Sequence, residues 1–141
     1  VIYISYFLKK NQVEYYDRIS EVRRSGNYEQ WVRFFLEAVS KAAADSLETI
    51  QKLSSLHDTN IEKLPKTTRA KDNLRAVFDY IEQYPIIEIK RTAQELDISY
   101  NTVATAVKKL MELGILQETT NAARNRVFAY GEYLEILRKD T

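Results

Sequence analysis

"DISYNTVATAVKKLMELGIL", residues 97–116, reads as a turn, a capped helix and a stop. Ser99 has the chemistry of an N-cap, because its hydroxyl can accept from a backbone N–H that the first helical turn leaves unpaired. Val103, Val107 and Leu110 recur at i, i+4 and i+7, the apolar seam of one helix face. Gly114 stands where a left-handed residue ends a helix. Just upstream, "RTAQELD" predicts a short helix with Ala93 and Leu96 inward, leaving Asp97, Ile98 and Ser99 as the turn. Two helices joined this tightly make a helix-turn-helix.

Working outward, Leu74, Val77, Phe78 and Ile81 mark a preceding helix that Pro85 closes, and the β-branched "IIEIK" (86–90) predicts a strand. "ILQETT" and "NRVFAY", separated by "NAAR", alternate as a β-hairpin does. "EYLEILRK" predicts a last helix bearing Tyr133, Leu134 and Leu137. Helix, strand, helix, turn, helix, hairpin, helix is the order of a winged helix-turn-helix, expected over residues 74–141. The fold class is therefore mainly α, a helical segment followed by a winged helix-turn-helix with a small β-hairpin wing.

Such a module offers the start and one face of its second helix to the DNA major groove. Here the seam leaves Tyr100, Asn101, Thr102, Thr105, Lys108 and Lys109 on the other faces, and the hairpin loop adds Arg124 and Arg126. Asn101 and Thr105 are the candidates for base contact, with Lys108 and Arg126 for phosphate. The expected partner is duplex DNA. Net charge is only +1, from 21 Lys and Arg against 20 Asp and Glu, so the footprint must come from local placement. Four of the six basic residues in 86–130 fall on the reading helix and wing (Lys108, Lys109, Arg124, Arg126), the others being Lys90 and Arg91. That weak balance keeps a second reading open, a winged helix used for protein docking or structure.

The first half is helical throughout. Val13, Tyr16, Ile19 and Val22 follow helical spacing up to a stop at Ser25-Gly26. Asn27 and Gln30 predict a capping box. From there Trp31, Phe35, Ala38, Ala42, Ile50 and Leu53 predict one long amphipathic helix running toward Leu56. Nine rings (Tyr3, Tyr6, Phe7, Tyr15, Tyr16, Tyr28, Trp31, Phe34, Phe35) exceed what two helices bury against each other, at about 150–250 Å² per ring. A partner layer is expected, either a parent protein or a second copy in a homodimer through residues 1–60. The pattern fades in "HDTNIEKLPKTTRAKD", which predicts a linker over 61–73.

Residues 3–39, "YISYFLKKNQVEYYDRISEVRRSGNYEQWVRFFLEAV", resemble the C-terminal helices of the Fic (filamentation induced by cAMP) family. The matching pieces are "YISYFLKKN", "EYYDRISEVR", the "SGNYEQW" turn and "FFLEAV", in order. More loosely, the resemblance extends to a C-terminal winged helix that a large subgroup of that family carries. It implies AMP transfer in an intact parent: ATP supplies the nucleotide, with Mg²⁺ bound, and a protein hydroxyl attacks the α-phosphate. The family's loop, HPFxxGNGRxxR, precedes the matched stretch and is absent here. The single histidine, His57 in "SSLHDTN", has no Phe two residues on and reads as a surface or capping residue, not as half of a dyad with Asp58. The opening at Val1, already inside an apolar run, reads as part of a longer chain whose N-terminal Fic core is missing. The resemblance gives Tyr15, Tyr16, Arg23 and Arg24 a structural role, with domains at 1–60 and 74–141.

Composition points the same way on chemistry. The three glycines (Gly26, Gly114, Gly131) are isolated, so no phosphate-cradling loop forms from them. One histidine and no cysteine leave no metal-ligand set and no disulfide. No catalytic, metal or cofactor site is expected in this segment, ATP and Mg²⁺ belonging to the parent. No run spans a bilayer and the start lacks signal-peptide organisation, so the expectation is a cytoplasmic location and no membrane partner. A free-standing winged-helix regulator with a helical dimerisation segment is the other alternative.

Overall fold

The computed structural model describes residues 4–66, 71–120 and 123–138. Residues 67–70 of the expected linker, Asn121 and Ala122 of the expected hairpin turn, Tyr3 and Lys139 lie outside them. The chain divides into two compact units at Lys52/Leu53.

The first unit holds α1 (Ile4–Lys10), α2 (Gln12–Ser25) and the larger part of α3 (Tyr28–Ile61). Between α1 and α2, the Asn11 side-chain amide donates to the Phe7 carbonyl at 2.9 Å. Gly26 takes a left-handed conformation (φ 73°) after α2, and its N–H donates to the Val22 carbonyl. That is the stop expected at Ser25-Gly26. The capping box is not formed as expected. Gln30 reaches back, but its amide donates to the carbonyls of Arg18 (2.9 Å) and Asn27 (3.1 Å), and the Asn27 N–H turns to Ser25 Oγ.

The buried seam of α3 keeps Ala38 and Ala42 as expected but takes the ring of Phe34 beside them. Phe34, Ala38 and Ala42 are buried, whereas Phe35 and Ile50, both expected inward, are exposed. On α2 it is Tyr15, not Tyr16, that meets Trp31, with ring centres 5.6 Å apart. No described residue of α1 or α2 is fully buried. Val13 (77%), Tyr28 (65%) and Leu36 (59%) stand among the most exposed large apolar side chains.

The second unit begins with the last turns of α3 and continues through α4 (Lys71–Gln83), β1 (Ile86–Glu88), α5 (Ile89–Leu96), α6 (Tyr100–Glu112), β2 (Gln117–Glu118), β3 (Val127–Ala129) and α7 (Gly131–Arg138). The three strands form one antiparallel sheet ordered β1-β3-β2, with Ile87 opposite Phe128 and Gln117 opposite Ala129. This is the predicted winged helix-turn-helix: a mainly helical unit with a small β wing.

Its core gathers Val77, Phe78 and Ile81 of α4, Val103, Val107 and Leu110 of α6, then Ile115, Leu116, Phe128 and Tyr130, each at most 2% exposed. The strand expected over 86–90 stops at Glu88. Ile89 already starts α5, because its side chain is buried in the core with Thr92 and Ala93 one turn on. In α7 Tyr133 packs on the core together with Ile136, while Leu137 faces out.

Residues 61–66 do not behave as a linker. α3 runs to Ile61, and Leu56, Asn60 and Leu64 are buried. The pattern faded there in the sequence because a single turn, closed by Leu64 N–H on the Ile61 carbonyl, carries too few residues for periodicity. Among the described residues no helix is long and apolar enough to cross a membrane.

Candidate nucleic-acid interface

The turn between α5 and α6 sets the site. Asp97 caps α5 in the left-handed region (φ 53°), and its N–H donates to the Ala93 carbonyl. Ile98 N–H shares that carbonyl at 3.1 Å. Ser99 then caps α6 as its chemistry suggested, its Oγ accepting from Thr102 N–H at 3.2 Å. Gly114 (φ 77°) ends α6 in the expected left-handed conformation.

Burial of Val103, Ala106, Val107 and Leu110 fixes the rotation of α6. At 100° per residue, Asn101, Thr105, Lys108 and Glu112 then fall on the opposite, exposed stripe. Three of the candidate residues are therefore brought together on one face. The Thr105 hydroxyl donates to the Asn101 carbonyl at 2.9 Å and keeps its lone pairs outward. Glu112 shares this stripe at the C-terminal end of the helix, an acidic residue that the seam count did not single out.

The other candidates are placed differently. Tyr100 is exposed at the head of α6 (56%). Thr102 lies on the flank, and its hydroxyl is 2.7 Å from Ser99 Oγ, within the cap. Lys109, seven residues on, is half-buried on the same flank, with Nζ 4.0 Å from Glu112. Arg124 is exposed beside the left-handed Asn125 (φ 55°).

Arg126 departs from the expectation of a bare phosphate contact. Its Nε donates to both oxygens of Glu118, at 3.0 and 3.1 Å, and its Nη2 donates to the same carboxylate. The hydrogen bonds from Arg126 hold the Glu118 carboxyl below the usual carboxylate range. The same pair, with a smaller contribution from the nearby Tyr100 phenol, holds the guanidinium proton more tightly.

Two further contacts matter for charge. Tyr80 of α4 donates to Glu95 of α5 at 2.6 Å, and Arg91 donates to the same carboxylate at 3.1 Å. Arg91 is thereby neutralised while Lys90, in the first turn of α5, is exposed. Among the described residues Lys90, Lys108 and Arg124 carry no ion pair. Lys90 was missed as a site residue although the spacing was readable in the sequence: Arg91 has Glu95 four residues on, and Lys90 has Gln94 there.

His57 is not a surface cap either. Its Nδ1 lies 2.6 Å from Glu82 Oε2, and its ring sits 5.9 Å from that of buried Phe78. The pair fastens the end of α3 to α4. Among the described residues no three His, Cys, Asp or Glu side chains gather as a metal site. The fold and this exposed stripe define a winged helix-turn-helix unit. No family model matches the chain.

Proposed function

We propose that the second unit binds duplex DNA, with the start and exposed stripe of α6 in the major groove and the β2–β3 hairpin on the backbone. The observation that carries this reading is the coincidence of Asn101, Thr105 and Lys108 on the face opposite the buried seam. Asn and Thr match the hydrogen-bonding edges of bases, and Lys matches phosphate. Lys90 and Arg124 flank that stripe in sequence on the two elements that a winged helix turns toward the backbone.

We infer further that the chain is the C-terminal portion of a Fic-type AMP-transferase, the winged helix serving regulation. The ordered resemblance over residues 3–39 supports this reading. ATP, Mg²⁺ and the AMP-transfer step belong to the parent in this reading, and the exposed rings of α2 and α3 would lie against its core or a second copy. The encoded residues ahead of Val1 test it: a HPFxxGNGRxxR loop there supports the reading, and its absence from the gene defeats it.

Fluorescence anisotropy with a random-sequence duplex over a salt series tests DNA binding. Wild type is expected to bind with log K falling linearly in log salt, and K108A/R124A to flatten that slope by about 0.9 for each lost phosphate contact. No salt-sensitive binding would favour the docking reading, which the near-neutral net charge of +1 suits.

A further inference from the structure

We propose that Glu118 makes Arg126 a charge-neutral, pre-aimed donor on the wing, a specificity-determining pair that reserves the free edge of the guanidinium for a base acceptor rather than a phosphate. The proposal rests on the DNA-binding reading above.

A guanidinium has five N–H groups in a rigid fork. Glu118 takes the Nε edge and one Nη2 hydrogen. Both Nη1 hydrogens and the second Nη2 hydrogen are left, and the latter with one Nη1 hydrogen forms an end-on donor pair directed away from Glu118. The plane is held as well as the direction. The Arg126 Cζ sits 5.3 Å from the ring centre of Phe128, and Phe128 is 1% exposed. Much of the rotamer freedom that an arginine loses on binding is thus already lost in the free protein, which lowers the entropic cost of using it.

The electrostatics select the ligand. Arg126 and Glu118 together carry no net charge, so a phosphate attracted by one is repelled by the other. The acceptors of a base edge are neutral and escape that repulsion while still taking two hydrogen bonds from the fork. Lys90, Lys108 and Arg124 make no ion pair among the described residues, and general attraction to the backbone falls to them. Glu118 therefore lowers non-specific affinity and keeps Arg126 for readout, a device that works against the wrong ligand as much as for the right one.

The test uses the full chain, a random-sequence duplex and a salt series, with thermal melts to verify folding. Glu118→Gln keeps an amide oxygen for Nε and removes the charge. It is expected to steepen the salt slope by about 0.9 and to tighten low-salt binding about threefold. The charge-conserving E118Q/R126Q double variant is expected to return the slope to the wild-type value, and it keeps the proposal testable if the single variant melts early. An unchanged or weaker E118Q, or a double variant whose slope falls about 0.9 below wild type, overturns the proposal. If K108A/R124A flattens the wild-type slope while E118Q leaves it unmoved, DNA binding stands and this proposal alone fails. If wild type shows no salt-dependent binding, both fall together.

Discussion

The side-chain amide of Asn60 donates to the Tyr130 hydroxyl at 2.7 Å, and both residues are fully buried. Seventy positions separate them. This bond ties the last turn of α3 to the segment between β3 and α7, alongside the His57–Glu82 pair. It makes those turns of α3 part of the winged helix and not a lead into it.

Removing one partner strands the other in the core. Tyr130→Phe leaves the Asn60 amide N–H without its acceptor, where Asn60 Oδ1 already has no donor. Asn60→Leu strands the phenol instead. Each is expected to destabilise by about 1–3 kcal/mol in urea or thermal melts. The double variant N60L/Y130F leaves nothing polar unpaired at that contact, so it is expected to melt well above the sum of the two losses. Strict additivity would contradict a direct bond.

Burial pushes the Tyr130 phenol up from 10.0 to about 12, with Asn60 opposing and Glu82 adding a smaller rise. The unfolded chain therefore releases this proton at lower pH than the folded one. Between the two values the unfolded state binds fewer protons, so stability is intact below pH 10 and declines as pH rises toward 12. Tyr80, also raised to about 12 and chiefly by burial, contributes in the same direction. Y130F is expected to lose less stability than wild type between neutral pH and this window. An identical alkaline decline in the two proteins would contradict the assignment.

Asp97 caps α5 with φ 53° and ψ 46°, a conformation that L side chains adopt at some cost. Asp97→Gly is expected to stabilise the fold by about 0.5–1 kcal/mol, read as a higher melting temperature. A lower melting temperature would mean that the carboxylate itself holds the turn.

Asn101 and Lys108 share a stripe but differ in chemistry. With a sequence selected from a random pool, Asn101→Ala is expected to relax discrimination at one base pair by about 1–3 kcal/mol. Lys108→Ala is expected to weaken all sequences alike and flatten the salt slope. Equal effects on every sequence from both variants would remove the base-reading role of Asn101.

How much of this was legible in the sequence depended on distance along the chain. The α6 seam, the Ser99 cap, the helix stop at Ser25-Gly26 and the left-handed Gly114 are set by neighbours within one or two turns, and all appear where the residues suggested. On α3 the inward positions of Ala38 and Ala42 were legible, but the choice between Phe34 and Phe35 was not, because they are adjacent rings and only packing within the unit decides which turns inward. The strand at 86–90 was overextended for a related reason: β-branched Ile89 suits a strand, yet its burial is achieved at the start of a helix. Site details needing a partner across a hairpin or fold stayed hidden. Glu118 neutralises Arg126 from eight positions away, and Asn60 meets Tyr130 only once the sheet has formed.

The most direct test of DNA binding by this winged helix is an amide chemical-shift titration of the chain with duplex DNA. The account predicts that the largest shifts fall on residues 99–108 and 124–126, with Lys90 also moved and the α7 amides unmoved. Shifts confined to other surfaces, or no shifts as duplex is added at low salt, would contradict it.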